Sequence, residues 1–210
     1  DLSKKASQGD ARFLLISHMR GHLVNMDKLM QIVNKFNLIL IEDCAHTMGA
    51  QWKKQKSGNF GLAGCFSTQT YKHLNSGEGG LLTSNDEEFM ARAIIYSGSY
   101  MLYERHSAAP SSEVFSDIRL QTPNYSGRMD NLRASILRPQ LKNLENSINR
   151  WNERYQTVES MLIKIRGIEV PKRLSEERYV GSSIQFRIPG ITKSEADLFI
   201  NKNKKLGVEL

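Results

Sequence analysis

The sequence predicts an α/β fold, a central and mostly parallel sheet flanked by helices. Two observations predict it. Short, continuous apolar runs recur that are too brief for helices, the mark of strands buried on both faces. Between and after them lie stretches whose apolar residues recur at helical spacing. The resulting order, β-α-β-β-β-α, is that of a sheet with helices packed on both sides.

The elements follow in order. RFLLISHM (12–19) is the first buried strand. DKLMQIVNKF (27–36) carries apolar residues at 29, 30, 32, 33 and 36, a helical stripe. LILIE (38–42) is a second strand, GCFST (64–68) a third and GGLLTS (79–84) a fourth. Asp86 opens a helix with acids in its first turn, where they complement the dipole, and Gly98 stands near its end. Residues 99–127 are polar, with Pro110 and Pro123, and read as a long irregular excursion suited to a loop or lid. From Asp130 to about Ile165 the pattern is helical, and Pro139 should kink or split it. IEVP (168–171), SSIQFRI (182–188) and a helix from Ser194 suggest a second, smaller α+β unit. The division is placed at 1–145 and 146–210.

The bulk properties narrow the function. The chain has 210 residues, 40% hydrophobic and 24% charged, as in ordinary globular domains. No window approaches eighteen unbroken apolar residues, so no transmembrane helix is expected. The opening DLSKKASQGD carries no apolar signal segment. Two cysteines, Cys44 and Cys65, make no disulfide framework and favour a reducing, cytoplasmic setting. The net charge of +7 raises anionic partners, but the excess sits in KNKK near the end and on scattered helix faces. With no basic helix, aromatic RNA-binding pair or zinc finger, nucleic acid is not expected as a partner. HMRGH lacks the glutamate of a zinc protease motif, and Cys44, His46, Cys65 and His73 match no standard metal spacing. No metal is expected. The chain begins without methionine and stops at GVEL, where a strand would start, so a piece of a longer protein is expected.

The chemistry concentrates in CFSTQTYKHLNSGEGG, Cys65 to Gly80. A sheltered lysine loses solvation of its charged form and becomes a usable amine nucleophile. The commonest partner of such a lysine is pyridoxal phosphate, which needs a carboxylate at its ring nitrogen and donors at its phosphate. Asp43 closes the strand LILIE and offers the first. At about 3 Å and an effective dielectric of about 20, carboxylate and pyridinium attract by ~5 kcal/mol before desolvation is subtracted. Ser67, five residues before Lys72, is placed for the phosphate. Taken singly, each has a plainer reading: a strand-end cap, a turn serine and an exposed lysine.

Three segments, IEDCAHTMGA, CFSTQTYKHLNSGEGGLLTSND and NYSGRMDNLRASILRPQL, together resemble the DegT/DnrJ/EryC1/StrS family, the sugar aminotransferases of fold type I. The resemblance runs from about Phe13 to about Trp151 and weakens beyond. It implies the large domain of that fold in 1–145 and part of the small domain in 146–210. Lys72 then corresponds to the Schiff-base lysine and proton shuttle, Asp43 to the partner of the pyridine nitrogen and Ser67 to a phosphate ligand. His46 falls where the family often has glutamine, near the 3′ oxygen of the ring, although histidine also occurs there. Asn124 corresponds to an asparagine that reaches the phosphate of the neighbouring subunit, but its spacing to Arg128 is two longer than in the usual GYNYRM, and Ser126 occupies the usual slot. Arg128 is read either as a substrate contact or as a structural ion pair. The resemblance implies a homodimer, an amino donor, typically glutamate, and a keto sugar acceptor, usually nucleotide-linked, in polysaccharide or secondary-metabolite sugar biosynthesis. Lysine at 72 argues against the family's dehydratase branch, which has histidine there. Nothing before Asp43 supplies the phosphate loop and stacking aromatic of the family, so the 210-residue chain alone is expected to hold the cofactor weakly. The alternative is a truncated, non-catalytic member that acts as a structural or partner-binding subunit.

Overall fold

The computed structural model describes residues 1–99, 101 and 103–208. In chain order it has α1 (Leu2–Ala6), β1 (Phe13–Ser17), α2 (Met26–Lys35), β2 (Ile39–Asp43), β3 (Gln51–Trp52), β4 (Gln55–Lys56), β5 (Ala63–Ser67) and β6 (Gly80–Thr83). There follow α3 (Glu87–Ser97), α4 (Ser112–Gln121), α5 (Asn131–Lys142), α6 (Leu144–Leu162), β7 (Glu177–Arg178) and α7 (Lys193–Lys205).

The four apolar runs form one sheet in the order β1-β2-β5-β6. β1, β2 and β5 are parallel, and β6 is antiparallel to β5. The register sets Ser17 opposite Asp43 and Asp43 opposite Cys65. Parallel strands share one carboxyl edge, and β6 starts at that same edge because Gly80 pairs with Ser67. Open α/β sheets gather ligands at such an edge.

One face of the sheet builds the main core. Leu14, Ile16 and Leu40 pack with Met26, Leu29 and Val33 of α2, and with Ile148 of α6 and Val180. The helical stripe read from the sequence is thus the buried face of α2, whose N-terminus is capped by Asn25 accepting from the Lys28 N–H. β7 pairs with β3 through Gln51 and Arg178, which fixes the chain beyond α6 against the first half. The other face differs from expectation. Phe13 and Leu15 of β1 are 61% and 66% exposed, so the described residues cover β1 on one side only.

Residues 99–127 also differ. They hold α4, whose Phe115 and Ile118 pack with Ala91 and Ile95 of α3 and with Tyr103. The Tyr103 and Phe115 rings stack at 4.2 Å. A single short apolar stripe on an otherwise polar helix gave the sequence its irregular look. Tyr100 and Leu102, within this span, lie outside the described residues. Pro139 sits inside α5, and the helical run splits four residues later, at Asn143. The two strands expected at 168–171 and 182–188 reduce to one bridge between Glu169 and Arg187. The last helix begins at Lys193, with Thr192 and Glu195 in a reciprocal capping box. Of the strand start expected at GVEL, Gly207 forms a turn and Val208 lies in no element, while Glu209 and Leu210 lie outside the described residues.

Candidate active site

Asp43 ends β2 at the carboxyl edge. Its Oδ2 accepts from Ser17 Oγ at 2.9 Å and its Oδ1 from the Ala45 N–H at 3.0 Å. Its carbonyl accepts from the His18 N–H of the turn that follows β1. Two donors do not exhaust a carboxylate, so Asp43 keeps acceptor capacity toward the half-buried space at the edge.

Lys72 lies in the connection from β5 to β6. That loop is closed by backbone bonds: Thr68 N–H to the Gly79 carbonyl, Thr70 N–H to Gly77, Ser76 N–H to Thr68 and Lys72 N–H to Gln69. Thr68 Oγ1 and Ser76 Oγ meet inside it at 3.2 Å. Gly79 needs to be glycine twice over. Its φ is +139°, and a Cβ there would stand 2.7 Å from Thr68 Oγ1 and 2.9 Å from Met129. So folded, the loop aims Lys72 Nζ to within 3.3 Å of His46 Nε2. Both groups are half-buried. The His46 pKa lies below the ordinary histidine value because of burial first, then the positive charges of Lys72 and Arg20, with Asp43 opposing. His46 therefore feels both Lys72 and Asp43, and the three share one neighbourhood.

Ser67 ends β5 at the same edge, and its Oγ accepts from the Gln69 N–H at 3.2 Å, leaving its own O–H free to donate. Asn124 is placed elsewhere. Its Oδ1 accepts from the Ser126 N–H at 2.7 Å beside Gly98, at the C-terminus of α3. Among the described residues no hydrogen bond joins it to Asp43, His46, Ser67 or Lys72. Arg128 also borders Gly98, and with Gly79, Gly80 and Arg133 it lines a cavity of about 190 Å³.

The sequence reading gave no place in the site or core to three groups. Ser17, on Asp43, was findable as the residue that ends the neighbouring strand. Glu42 is fully buried and accepts from the backbone N–H groups of Gly58, Phe60 and Gly61, with His18 Nε2 at 3.2 Å. Burial alone would raise its pKa, but the His18 contact and the three backbone donors outweigh it and hold the carboxyl below its usual range. Cys44 lies within 4.8 Å of His18 and Glu42, yet burial, with smaller additions from Glu42 and Asp43, pushes its thiol up to about 12. In this cluster the Glu42 carboxylate is already saturated by hydrogen bonds, which makes it part of a hydrogen-bonded core. His73 is the third group, tied to Ser182, 109 residues away.

Comparison with known proteins agrees with this architecture. The DegT/DnrJ/EryC1/StrS aminotransferase family matches residues 4–209. The chain is 30% identical over 128 residues to the GDP-perosamine synthase of Caulobacter vibrioides, covering 61% of this chain and 32% of that one. It is 27% identical over 203 residues to the spore coat polysaccharide biosynthesis protein SpsC of Bacillus subtilis, covering 92% and 50%. The fold superposes with a TM-score of 0.80 on the crystal structure of a sugar aminotransferase from Micromonospora echinospora, at 19% identity, covering all of this chain and 56% of that one. The chain spans about half the length of the curated relatives that it matches along most of its own length. With a family match over nearly its whole length, the chain belongs to the DegT/DnrJ/EryC1/StrS aminotransferase family.

Proposed function

We propose that the protein is a pyridoxal-phosphate-dependent aminotransferase that moves an amino group from glutamate to a nucleotide-linked keto sugar, with Lys72 as its central group. The observation that carries this reading is the placement of the Lys72 amine 3.3 Å from His46, at the strand edge that also presents Asp43 and Ser67. The donor set suits the cofactor: an amine for its aldehyde, a carboxylate with spare acceptor capacity for its ring nitrogen, and a free hydroxyl for its phosphate. When bound, the cofactor supplies an electron-withdrawing ring that acidifies the substrate carbon bearing the amine.

The residues of this chain supply the rest. Lys72 in its neutral form is the nucleophile and, once released, carries a proton between substrate positions. Asp43 is held by Ser17 and Ala45 with its carboxyl oriented at the edge. Ser67 donates its O–H to a phosphate oxygen, and Gly79 and Gly80 present bare backbone nearby. His46, with its lowered pKa, is uncharged at neutral pH and orients the Lys72 amine without adding to its charge. Asn124, away from this group in its own chain, is assigned to the site of a second copy in a homodimer. The division into a larger unit, 1–145, and a smaller one, 146–210, and a cytoplasmic location belong to the same reading. No described helix is long and apolar enough to cross a membrane.

Purified protein incubated with pyridoxal phosphate should acquire a visible absorbance band that Lys72→Ala lacks, and should aminate a nucleotide-linked keto sugar with glutamate. A band unchanged in Lys72→Ala would refute the assignment. A folded dimer that ignores the cofactor would favour the alternative of a non-catalytic, partner-binding subunit.

A further inference from the structure

His73 follows Lys72 directly, and its ring is held from two sides. Nε2 lies 2.7 Å from Ser182 Oγ, and the ring centroid stands 5.2 Å from that of Trp151, tilted by 58°. Trp151 belongs to α6, and Ser182 follows β7. The same segment is tied to α6 by the Gly181 N–H, which donates to Asn152 Oδ1 at 2.7 Å, and reaches the turn after β1, where Gln185 Oε1 lies 2.8 Å from His22 Nε2. Thus one strap, 181–185, touches both the Lys72 loop and the turn after β1 that bonds to the Asp43 carbonyl. His73 Nδ1 is buried, with no hydrogen-bond partner among the described residues.

We propose that His73 is a positioning residue for Lys72: pinned between Trp151 and Ser182, it anchors the loop that aims the Lys72 amine at the site. The proposal rests on the reading of Lys72 as the amine nucleophile. The loop needs such an anchor. Lys72 reaches the site on a flexible four-carbon stem, and its neighbour Tyr71 has a positive φ of 76° and a side chain 94% exposed. The internal bonds of the loop shape it; the His73 contact, buried Leu74 and the paired hydrogen bonds between Asn75 and Gln140 of α5 tie it to the rest of the molecule, and of these the His73 contact lies next to Lys72. Reactive groups lose rate steeply when their support loosens by an ångström. Burial, followed by the charges of His46 and Lys72, takes the His73 pKa down to about 4, so the anchor brings no charge beside the amine at neutral pH.

The test uses pyridoxal phosphate as an aldehyde probe. A lysine amine condenses with it with loss of water, and borohydride reduces the C=N bond to a stable secondary amine that peptide mass spectrometry locates. Initial labelling rates at Lys72 are compared with those at surface lysines of the same chain. In the parent, Lys72 should label ahead of the others. Ser182→Ala should slow Lys72 about tenfold and leave the surface lysines unchanged, and Ser182→Thr should restore the rate to within about twofold. His73→Phe removes the same hydrogen bond but keeps a ring on Trp151. It should match Ser182→Ala, and the double variant should be no slower than either, because all three delete one bond. Parent-like Lys72 labelling in both single variants, with only the melting temperature lowered, would reduce His73 to a structural tie and overturn the proposal. If the parent itself shows no preference for Lys72, both the proposal and the reading beneath it fall.

Discussion

Two adjacent carboxylates at the end of β2 face opposite regions of the molecule. Glu42 points into the core, where its oxygens meet three backbone N–H groups and the His18 ring. Asp43 points to the carboxyl edge, where one hydroxyl and one N–H hold it. The buried carboxylate has every donor it needs and nothing left to offer. The half-buried one is oriented yet unsaturated. Hydrogen-bond saturation, more than burial or charge, separates the acid that staples the fold from the acid available to a ligand.

The largest expected effect breaks the core side. Glu42→Ala removes the acceptor of the Gly58, Phe60 and Gly61 N–H groups and of the buried His18 ring. Removing one member of a buried, hydrogen-bonded network costs about 3–5 kcal/mol. Urea unfolding should show a loss of that size. A loss below about 1 kcal/mol would mean that Glu42 is not the staple described.

A somewhat smaller effect concerns pH. The His73 pKa falls from 6.5 to about 4 on folding, so between those values the unfolded chain binds a proton that the folded chain refuses. Stability from this group is complete above pH 6.5 and is lost as the pH falls toward 4, by about 3 kcal/mol in all. His22 and His46 are also lowered, chiefly by burial, and act in the same direction. Glu42, held below its usual range, adds a loss at pH values under about 4.5. Melting temperatures from pH 7.5 down to 4.5 should therefore drop in the parent and drop less in His73→Phe. Identical slopes would remove His73 from this account.

The edge was more legible in the sequence than its supports. Asp43, Ser67 and Lys72 could be found because apolar runs reveal strands, and strand ends in a parallel sheet converge. β3, β4 and β7 could not, since each is two residues long and exists only through pairing with a distant partner. α4 was hidden by its polarity, although Phe115 and Ile118 stand at the i, i+3 spacing of a buried helical face. The tie from His73 to Ser182 spans 109 residues and leaves no local pattern. Local pattern places the strand ends and the candidate residues on them, and tertiary contact alone decides what holds them.

The smallest stability effect belongs to the edge, and it sharpens the contrast with Glu42. Asp43→Asn keeps the shape of the side chain. The amide oxygen still accepts from the Ala45 N–H, and the amide nitrogen can donate to Ser17 Oγ, whose hydroxyl turns to accept. No buried donor is stranded, so the cost in urea unfolding should stay under about 1 kcal/mol. What disappears is the negative charge. If Asp43 holds a protonated ring nitrogen, the variant should keep its fold while losing the visible band, or the amination activity, that the parent acquires with pyridoxal phosphate. Glu42→Gln should show the reverse, a weakened fold that still takes up the cofactor at temperatures where it remains folded. Were Asp43→Asn to destabilise as much as the core variant and leave cofactor uptake intact, the two carboxylates would have to exchange roles.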